Sequence, residues 1–329
     1  MDTSSLEYEL PADLVAQVPI EPRDASRLLV YHQADGAIEH RLFRDLPDVL
    51  DGELVVVNDS RVVPARLRLR RASGGAVEVL LVEPVDANGT WEALVRPSRR
   101  LRAGEELGAV RLLEPRGEGR WLVEVHGAPA GEMPLPPYIH DRSAPADRYQ
   151  TVYARPPGSA AAPTAGLHFT DELLASLAAG GVGRAAVTLH VGLDTFRPLE
   201  GDFVDEHRIH REWYEVPPDA RGAIAGAGRV VAVGTTAVRV LETAAHTDAE
   251  SGWTDLYVTP PYRFRAVGAL VTNFHLPRSS LLLLVTAFVQ AGMPGATPFE
   301  ARDRLLDAYR EALAEGYRFF SFGDAMLIV

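Results

Sequence analysis

Histidines at the ends of apolar runs are the richest chemical signal in this chain. His168 stands in Pro163-Thr164-Ala165-Gly166-Leu167-His168-Phe169-Thr170, just ahead of a helix signal, and His190 ends an apolar strand. His207 and His210 lie three apart with Glu212 close behind, and His275 follows a strand in Thr272-Asn273-Phe274-His275-Leu276-Pro277. Folds of the α/β kind put their ligand sites at strand ends. Imidazoles and carboxylates together suit acid–base work near neutral pH; for any single histidine a satisfied structural role is the competing reading. His207, His210 and Glu212 also invite a metal, but no recognisable third-ligand spacing accompanies them, and no metal is expected. Gly234-Thr235-Thr236 follows a valine-rich strand and opens a helix, a context that suits an anion such as a carboxylate. A plain strand-to-helix turn with threonine caps is the alternative there.

Two arginine runs stand out. Arg66, Arg68 and Arg70 alternate with Leu67 and Leu69, which puts three guanidiniums on one face of a strand. Arg96, Arg99, Arg100 and Arg102 form the second cluster. Both read equally as phosphate contacts or as a solvated face. The 329 residues carry a net charge of −12, which argues against wrapping nucleic acid broadly. The charge is uneven, however. Residues 61–155 hold fifteen arginines against twelve acids, about +3, and the remainder is near −15. If RNA binds, the middle segment is the better candidate.

The chain contains no cysteine and no lysine. Disulfides, thiolate nucleophiles, cysteine-bound metals, Schiff bases and the P-loop lysine are thereby excluded. No apolar run approaches ~18 residues, and the start lacks a signal peptide's basic and apolar stretches, so a soluble cytoplasmic protein is expected. Nothing in the sequence calls for an obligate protein partner.

The elements that must position these residues change in character along the chain. From Arg61 to about Gly127, short alternating runs are joined by turns such as Asp86-Ala87-Asn88-Gly89, which suggests a small antiparallel barrel or sandwich. Pro-rich sequence follows, from Met133 to Gly158, as a linker or active-site loop. After Pro163, strands and helices alternate. Strands are predicted at 185–191, 229–233 and 269–272, with helix starts at Thr170, Gly234, Ser279 and Thr297. The fold class is therefore α/β, a mixed-sheet domain interrupted by an inserted antiparallel β-barrel. Residues 1–60 and 156–329 form the larger domain, with Leu54–Val57 joining its sheet, and residues 61–155 form the insert. Gly180-Gly181-Val182-Gly183 precedes a strand, whereas a dinucleotide loop should follow one.

Taken together, these motifs closely resemble the S-adenosylmethionine:tRNA ribosyltransferase-isomerase family of queuosine biosynthesis. The matching stretches are residues 22–30 (PRDASRLLV), 57–67 (VNDSRVVPARL), 149–154 (YQTVYA), 162–170 (APTAGLHFT), 273–277 (NFHLP) and 317–328 (YRFFSFGDAMLI). They occur in family order and span nearly the whole chain. The resemblance implies an α/β domain carrying a β-barrel insert. It also implies transfer of the ribosyl group of S-adenosylmethionine to 7-aminomethyl-7-deazaguanine at the tRNA wobble position. Rearrangement then gives epoxyqueuosine, with adenine and methionine leaving. S-adenosylmethionine is a co-substrate in this scheme, and no prosthetic group is implied.

That chemistry has stated needs. The sulfonium acidifies the adjacent ribose methylene, adenine needs a proton to leave, and the aminomethyl group must lose one to attack. His168, His210, Glu212, His275 and Asp324 are the candidates for proton transfer, without individual roles. Asn58, Asp59 and Arg61 are candidates for the ribose or incoming base. Thr235, Thr236 and Arg239 are candidates for the methionine end, and Thr164 and Arg197 are further binding candidates. Three positions depart from the family pattern: Asp194 replaces a glycine, Pro261 replaces a glycine, and Arg211 replaces a serine. They raise the alternative of a divergent paralogue that uses the same co-substrate on a small amine.

Overall fold

The structure, a computed structural model, describes residues 1–85, 89–127, 131–192, 195 and 197–329. The larger sheet has nine strands. In chain order they are β1 (Arg27–Tyr31), β2 (Ile38–Leu42) and β3 (Leu54–Asn58), then, numbered past the insert, β12 (Gly183–Leu189), β13 (Glu212–Glu215), β14 (Val230–Val233), β15 (Ser251–Thr254), β16 (Ala269–Asn273) and β17 (Ala325–Ile328). Their spatial order is β15-β13-β12-β3-β14-β16-β17-β1-β2. The centre, β12-β3-β14-β16, is parallel, whereas β13, β15 and β2 pair antiparallel at the flanks. The expected mixed sheet is present, and Leu54–Val57 lies in its middle.

Strands buried on both faces read as unbroken valine runs, because neither side meets water. In β3, Leu54 and Val56 face one core while Val55 and Val57 face the other, and β14 divides its residues the same way. The first core is covered by α3 (Thr235–Thr247), α4 (Ser280–Ala291) and α5 (Pro298–Ala314). The second is covered by α1 (Asp171–Ala179) and the turn around Phe43 and Leu46. A further short helix, α2 (Pro218–Gly226), lies between β13 and β14. The local start signals are realised. Thr170 accepts from Leu173 N at 3.0 Å, Ser279 from Leu282 N at 3.2 Å, and Thr297 forms a reciprocal box with Glu300. Among the described residues no helix is long and apolar enough to cross a membrane.

The insert holds β5 (Arg66–Arg70), β6 (Ala76–Pro84), β7 (Thr90–Arg96), β8 (Glu106–Leu107), β9 (Val110–Gly117) and β10 (Arg120–Val125), all antiparallel in the order β5-β6-β7-β10-β9-β8. The sheet curls around its own core of Val77, Val79, Leu81, Trp121, Val123 and Val125. Its two edges are clasped by Arg71, which meets Glu105 through paired bonds of 2.5 and 3.0 Å. The six strands thus form a nearly closed barrel. Of the turn expected between β6 and β7, Asp86–Asn88 fall outside the described residues. Two short strands, β4 (Arg61–Val62) and β11 (Pro157–Ser159), pair with each other where the chain enters and leaves the insert. Residues 133–149 are neither barrel nor free linker. Met133, Leu135, Ile139 and Tyr149 pack with Val62, Ala162, Leu167 and Phe322, forming a strap across the larger domain.

Candidate active site

A cleft of about 530 Å³, counted to its open mouth, lies at the carboxyl ends of β14 and β16. Its walls come from five places in the chain: the 162–165 turn, the loop after β12 with Val191 and Thr195, the start of α3, the end of β16 from Thr272 to Leu276, and Phe320–Ser321. Further contributions are Leu281 of α4 and Tyr138 from the strap, whose hydroxyl lies 2.7 Å from Ser321 Oγ. Sequence reasoning missed Tyr138, Thr272 and Ser321. Tyr138 carried no periodic signal, whereas Ser321 sat within a family-like stretch.

The start of α3 is built to receive an anion. Gly234 precedes it at φ +86°, a conformation that favours glycine, and no side chain caps the helix. The first internal helical bond runs from Val238 N to Gly234 O, leaving the earlier N–H groups without helical acceptors. Thr235 and Thr236 line the cleft beside them; Thr235 is 6% exposed, and Thr236 Oγ1 has no partner among the described residues.

His275 lies on the cleft wall and is held from three sides. Tyr8 donates to its carbonyl, its N–H donates to Tyr309 Oη at 3.1 Å, and its Nε2 is 2.8 Å from Thr272 Oγ1. Burial pushes its imidazole down to about 3, so the ring is neutral at pH 7. Nδ1 is left without a protein partner among the described residues.

The other proton-transfer candidates occupy different positions. His168 does not line the cleft. It is buried with Ser26 Oγ 2.8 Å from Nδ1 and Asn273 Nδ2 3.2 Å from Nε2, against the ring of Phe43. Burial, and then the charges of Arg318 and Arg23, push it down to about 3. Asp324 is also buried, and its carboxylate accepts from Arg27 N at 3.0 Å and Arg318 N at 2.8 Å. It fastens the backbone of two segments and does not reach the cleft.

Glu212 sits in a separate buried cluster. One oxygen accepts from Gly192 N and meets His210 Nε2, each at 2.8 Å, and the other meets Arg239. Burial works to raise this carboxyl, but Arg239, His210 and the Gly192 amide outweigh it and hold it below the usual range. The cluster therefore fixes the root of the loop that carries Val191 and Thr195. Arg239 also donates to the carbonyls of His210 and Thr254, while its Nε has no partner among the described residues, and Arg239 does not line the cleft.

Asn58 ties β3 to β12, bonding Leu189 O at 3.1 Å and Leu189 N at 3.0 Å. Asp59 accepts from Thr188 Oγ1 at 2.8 Å, and burial raises its carboxyl. Arg61 and Arg197 are exposed and do not line the cleft. Thr164 does line it, 2.9 Å from Asn273 Oδ1. The His207 ring lies tilted against that of Tyr257, and among the described residues no three potential metal ligands come together.

Three of the motif-bearing stretches, 162–170, 273–277 and 317–328, thus converge on one cleft although more than 100 residues separate the first two. A family model described as queuosine biosynthesis protein matches residues 3–328. The chain belongs to this family. It is 51% identical to the S-adenosylmethionine:tRNA ribosyltransferase-isomerase of Symbiobacterium thermophilum, with all of both chains covered. It is 52% identical to the protein of that name from an Anaeromyxobacter species, over 100% of this chain and 99% of the other. The crystal structure of the S-adenosylmethionine tRNA ribosyltransferase of Thermotoga maritima matches with a TM-score of 0.56 and 38% identity, covering 99% of this chain and all of that one. Of the three departures from the family pattern, Asp194 lies outside the described residues. Arg211 is exposed over Trp253, Pro261 is exposed, and neither lines the cleft. The small-amine alternative draws no support from them.

Proposed function

We propose that this protein is an S-adenosylmethionine:tRNA ribosyltransferase-isomerase that moves the ribosyl group of S-adenosylmethionine onto 7-aminomethyl-7-deazaguanine in tRNA and isomerises it to epoxyqueuosine, in the cytoplasm. The observation that carries this reading is the convergence of three family stretches on a cleft whose floor is an uncapped helix start. Free N–H groups there, with Thr235 and Thr236, suit the α-carboxylate of the co-substrate. His275 is the group best placed to take the proton from the ribose methylene beside the sulfonium. In the tautomer that gives its Nε2 hydrogen to Thr272 Oγ1, which is the one this role requires, the lone pair of Nδ1 is left for the cleft.

On this reading residues 1–60 and 156–329 carry the chemistry, and residues 61–155 contact RNA. Arg66 pairs with Glu78 at 3.5 Å and Arg68 with Glu132 at 2.9 Å, which leaves that strand face largely neutralised. Arg96, Arg99 and Arg100 are exposed and form no ion pair among the described residues, so they are the better phosphate contacts. A groove lined by Arg66, Arg96, His140 and Arg142 runs along the strap that places Tyr138 in the cleft. That continuity supports a path for RNA from barrel to cleft.

The test is incubation with S-adenosylmethionine and tRNA bearing the aminomethyl base, followed by nucleoside mass analysis. Epoxyqueuosine with stoichiometric adenine is expected. Adenine release that requires a small amine, with tRNA inert, would overturn the reading. For the base, hydrogen exchange at the ribose methylene in heavy water should fall ~100-fold or more in His275→Gln; unchanged exchange would remove His275 from that step.

A further inference from the structure

The buried polar groups behind the cleft form a chain that has a direction. Thr164 Oγ1, on the cleft wall, is 2.9 Å from Asn273 Oδ1; Asn273 Nδ2 is 3.2 Å from His168 Nε2; and His168 Nδ1 is 2.8 Å from Ser26 Oγ. The direction follows from what each atom can donate. The nitrogen end of the Asn273 amide also faces the carbonyl of Asp324 at 3.5 Å, where an amide oxygen would meet a second oxygen. The NH2 group therefore points toward Asp324 and His168. It can only donate, so His168 Nε2 accepts, and the single hydrogen of the neutral ring sits on Nδ1 and goes to Ser26. At the other end Asn273 Oδ1 can only accept. Thr164 gives its one hydroxyl hydrogen to that oxygen and shows the cleft nothing but lone pairs.

The position of that acceptor selects its ligand. The turn carrying Thr164 and Ala165 touches the start of α3, since a Cβ placed on Gly234 would lie 3.5 Å from Ala165 Cβ. An α-amino acid held by its carboxylate at that helix start carries an ammonium on the adjacent carbon. An ammonium has donors and no acceptor.

We infer that His168 is a positioning residue, a tautomer lock acting through Asn273 to make Thr164 an acceptor-only hydroxyl, and that Thr164 binds the α-ammonium of the co-substrate's amino-acid end. This rests on the reading that α3 holds the carboxylate. A proton-transfer role for His168 is not part of the inference: neither ring nitrogen reaches the cleft, and both are engaged.

The experiment compares binding of S-adenosylmethionine and its desamino analogue, which keeps the carboxylate, to the full chain by calorimetry. Thr164→Val should weaken S-adenosylmethionine by about 10- to 100-fold, the range for a hydrogen bond to a charged group, while the desamino analogue changes less than about 2-fold. Equal losses for both ligands would overturn the assignment of Thr164. His168→Ala should show the Thr164→Val pattern. His168→Gln should recover most of the loss in both binding and turnover, because a glutamine amide can accept from Asn273 and donate to Ser26. A Gln variant that binds normally yet turns over as poorly as His168→Ala would overturn the positioning role in favour of proton transfer. Decarboxylated S-adenosylmethionine, which keeps the ammonium and lacks the carboxylate, is measured alongside. If it binds the wild type as tightly as S-adenosylmethionine does, the carboxylate reading itself fails and takes this inference with it. If it binds more weakly while Thr164→Val leaves S-adenosylmethionine binding unchanged, the ammonium assignment alone fails.

Discussion

Lowering the pH from 7 to 5 should destabilise the protein through two imidazoles that the fold keeps neutral. His168 and His275 are both pushed down to about 3, chiefly by burial. In the unfolded chain each titrates near 6.5. Between those values the unfolded state binds a proton that the folded state refuses, so stability is present above about 6.5 and is lost progressively toward about 3. Linkage puts the loss between pH 7 and pH 5 at about 2 kcal/mol per imidazole, or about 4 kcal/mol for the pair. With an unfolding entropy of about 2.1 cal/mol/K per residue over 329 residues, that lowers the melting temperature by about 6 °C. Carboxylates such as Glu212 stay ionised in both states above about pH 5 and add little in this window. His190 and His207 are also lowered by burial and act in the same sense, so the decisive quantity is a difference between proteins. Calorimetric melting at pH 7, 6 and 5 should give His168→Gln and His275→Gln slopes that are each shallower by about 3 °C across the range. A variant with the wild-type slope would show that its imidazole is not held neutral, and the tautomer argument would fall with it.

Other consequences of the packing can be checked singly. A Cβ on Gly166 would lie 2.1 Å from Tyr153 Oη and 2.9 Å from Thr151 Cγ2, so Gly166→Ala should cost about 1–3 kcal/mol in denaturant unfolding; wild-type stability would show that the turn can yield. Arg239→Met strands the buried Glu212 charge and should destabilise by about 3–5 kcal/mol. Adding Glu212→Gln should return at least half of that, and additive losses would refute the coupling. Replacing Arg96, Arg99 and Arg100 by Gln should reduce the salt slope of tRNA binding by about 2 to 3, whereas Arg68→Gln leaves it unchanged. The reverse result would move RNA to the β5 face.

Local signals were the most legible part of this sequence. The caps at Thr170, Ser279 and Thr297 depend on residues within one turn, and the valine runs of β3 and β14 depend only on burial at both faces. Strands whose partners are remote were not legible. Residues of β1 pair with β17 in register Leu28↔Ala325, and β13 and β15 complete a flank by pairing with each other. The site divided along the same line. The stretches that build the cleft were marked by motif, but motif says nothing about which way a side chain faces. His168 and Asp324 look catalytic in sequence because both are polar groups in motif-rich turns, and the structure spends them on Asn273 and on backbone amides. The Arg66, Arg68 and Arg70 alternation was visible; Glu132, which neutralises part of it, comes from the segment that follows the barrel and pairs beside Arg66, more than sixty residues on in the chain.

Among the described residues that line the cleft none carries a formal charge, although the co-substrate brings a sulfonium cation. A carboxylate beside that sulfur would tighten binding, yet it would stabilise the cation that must surrender a proton. Hydroxyls, an amide and a helix end give weaker support to the charge. Burial among them makes the adjacent C–H more acidic, for the same reason that burial lowers the two imidazoles. With His275 as the proposed acceptor, the proton passes from a carbon next to a cation to a neutral ring. The positive charge is then displaced within the cleft, and no new charge is created in a medium that would penalise it. The weak basicity that burial imposes on His275 is matched by the acidity that the same burial confers on its partner. A single charged residue placed in that wall would disturb both sides of this balance.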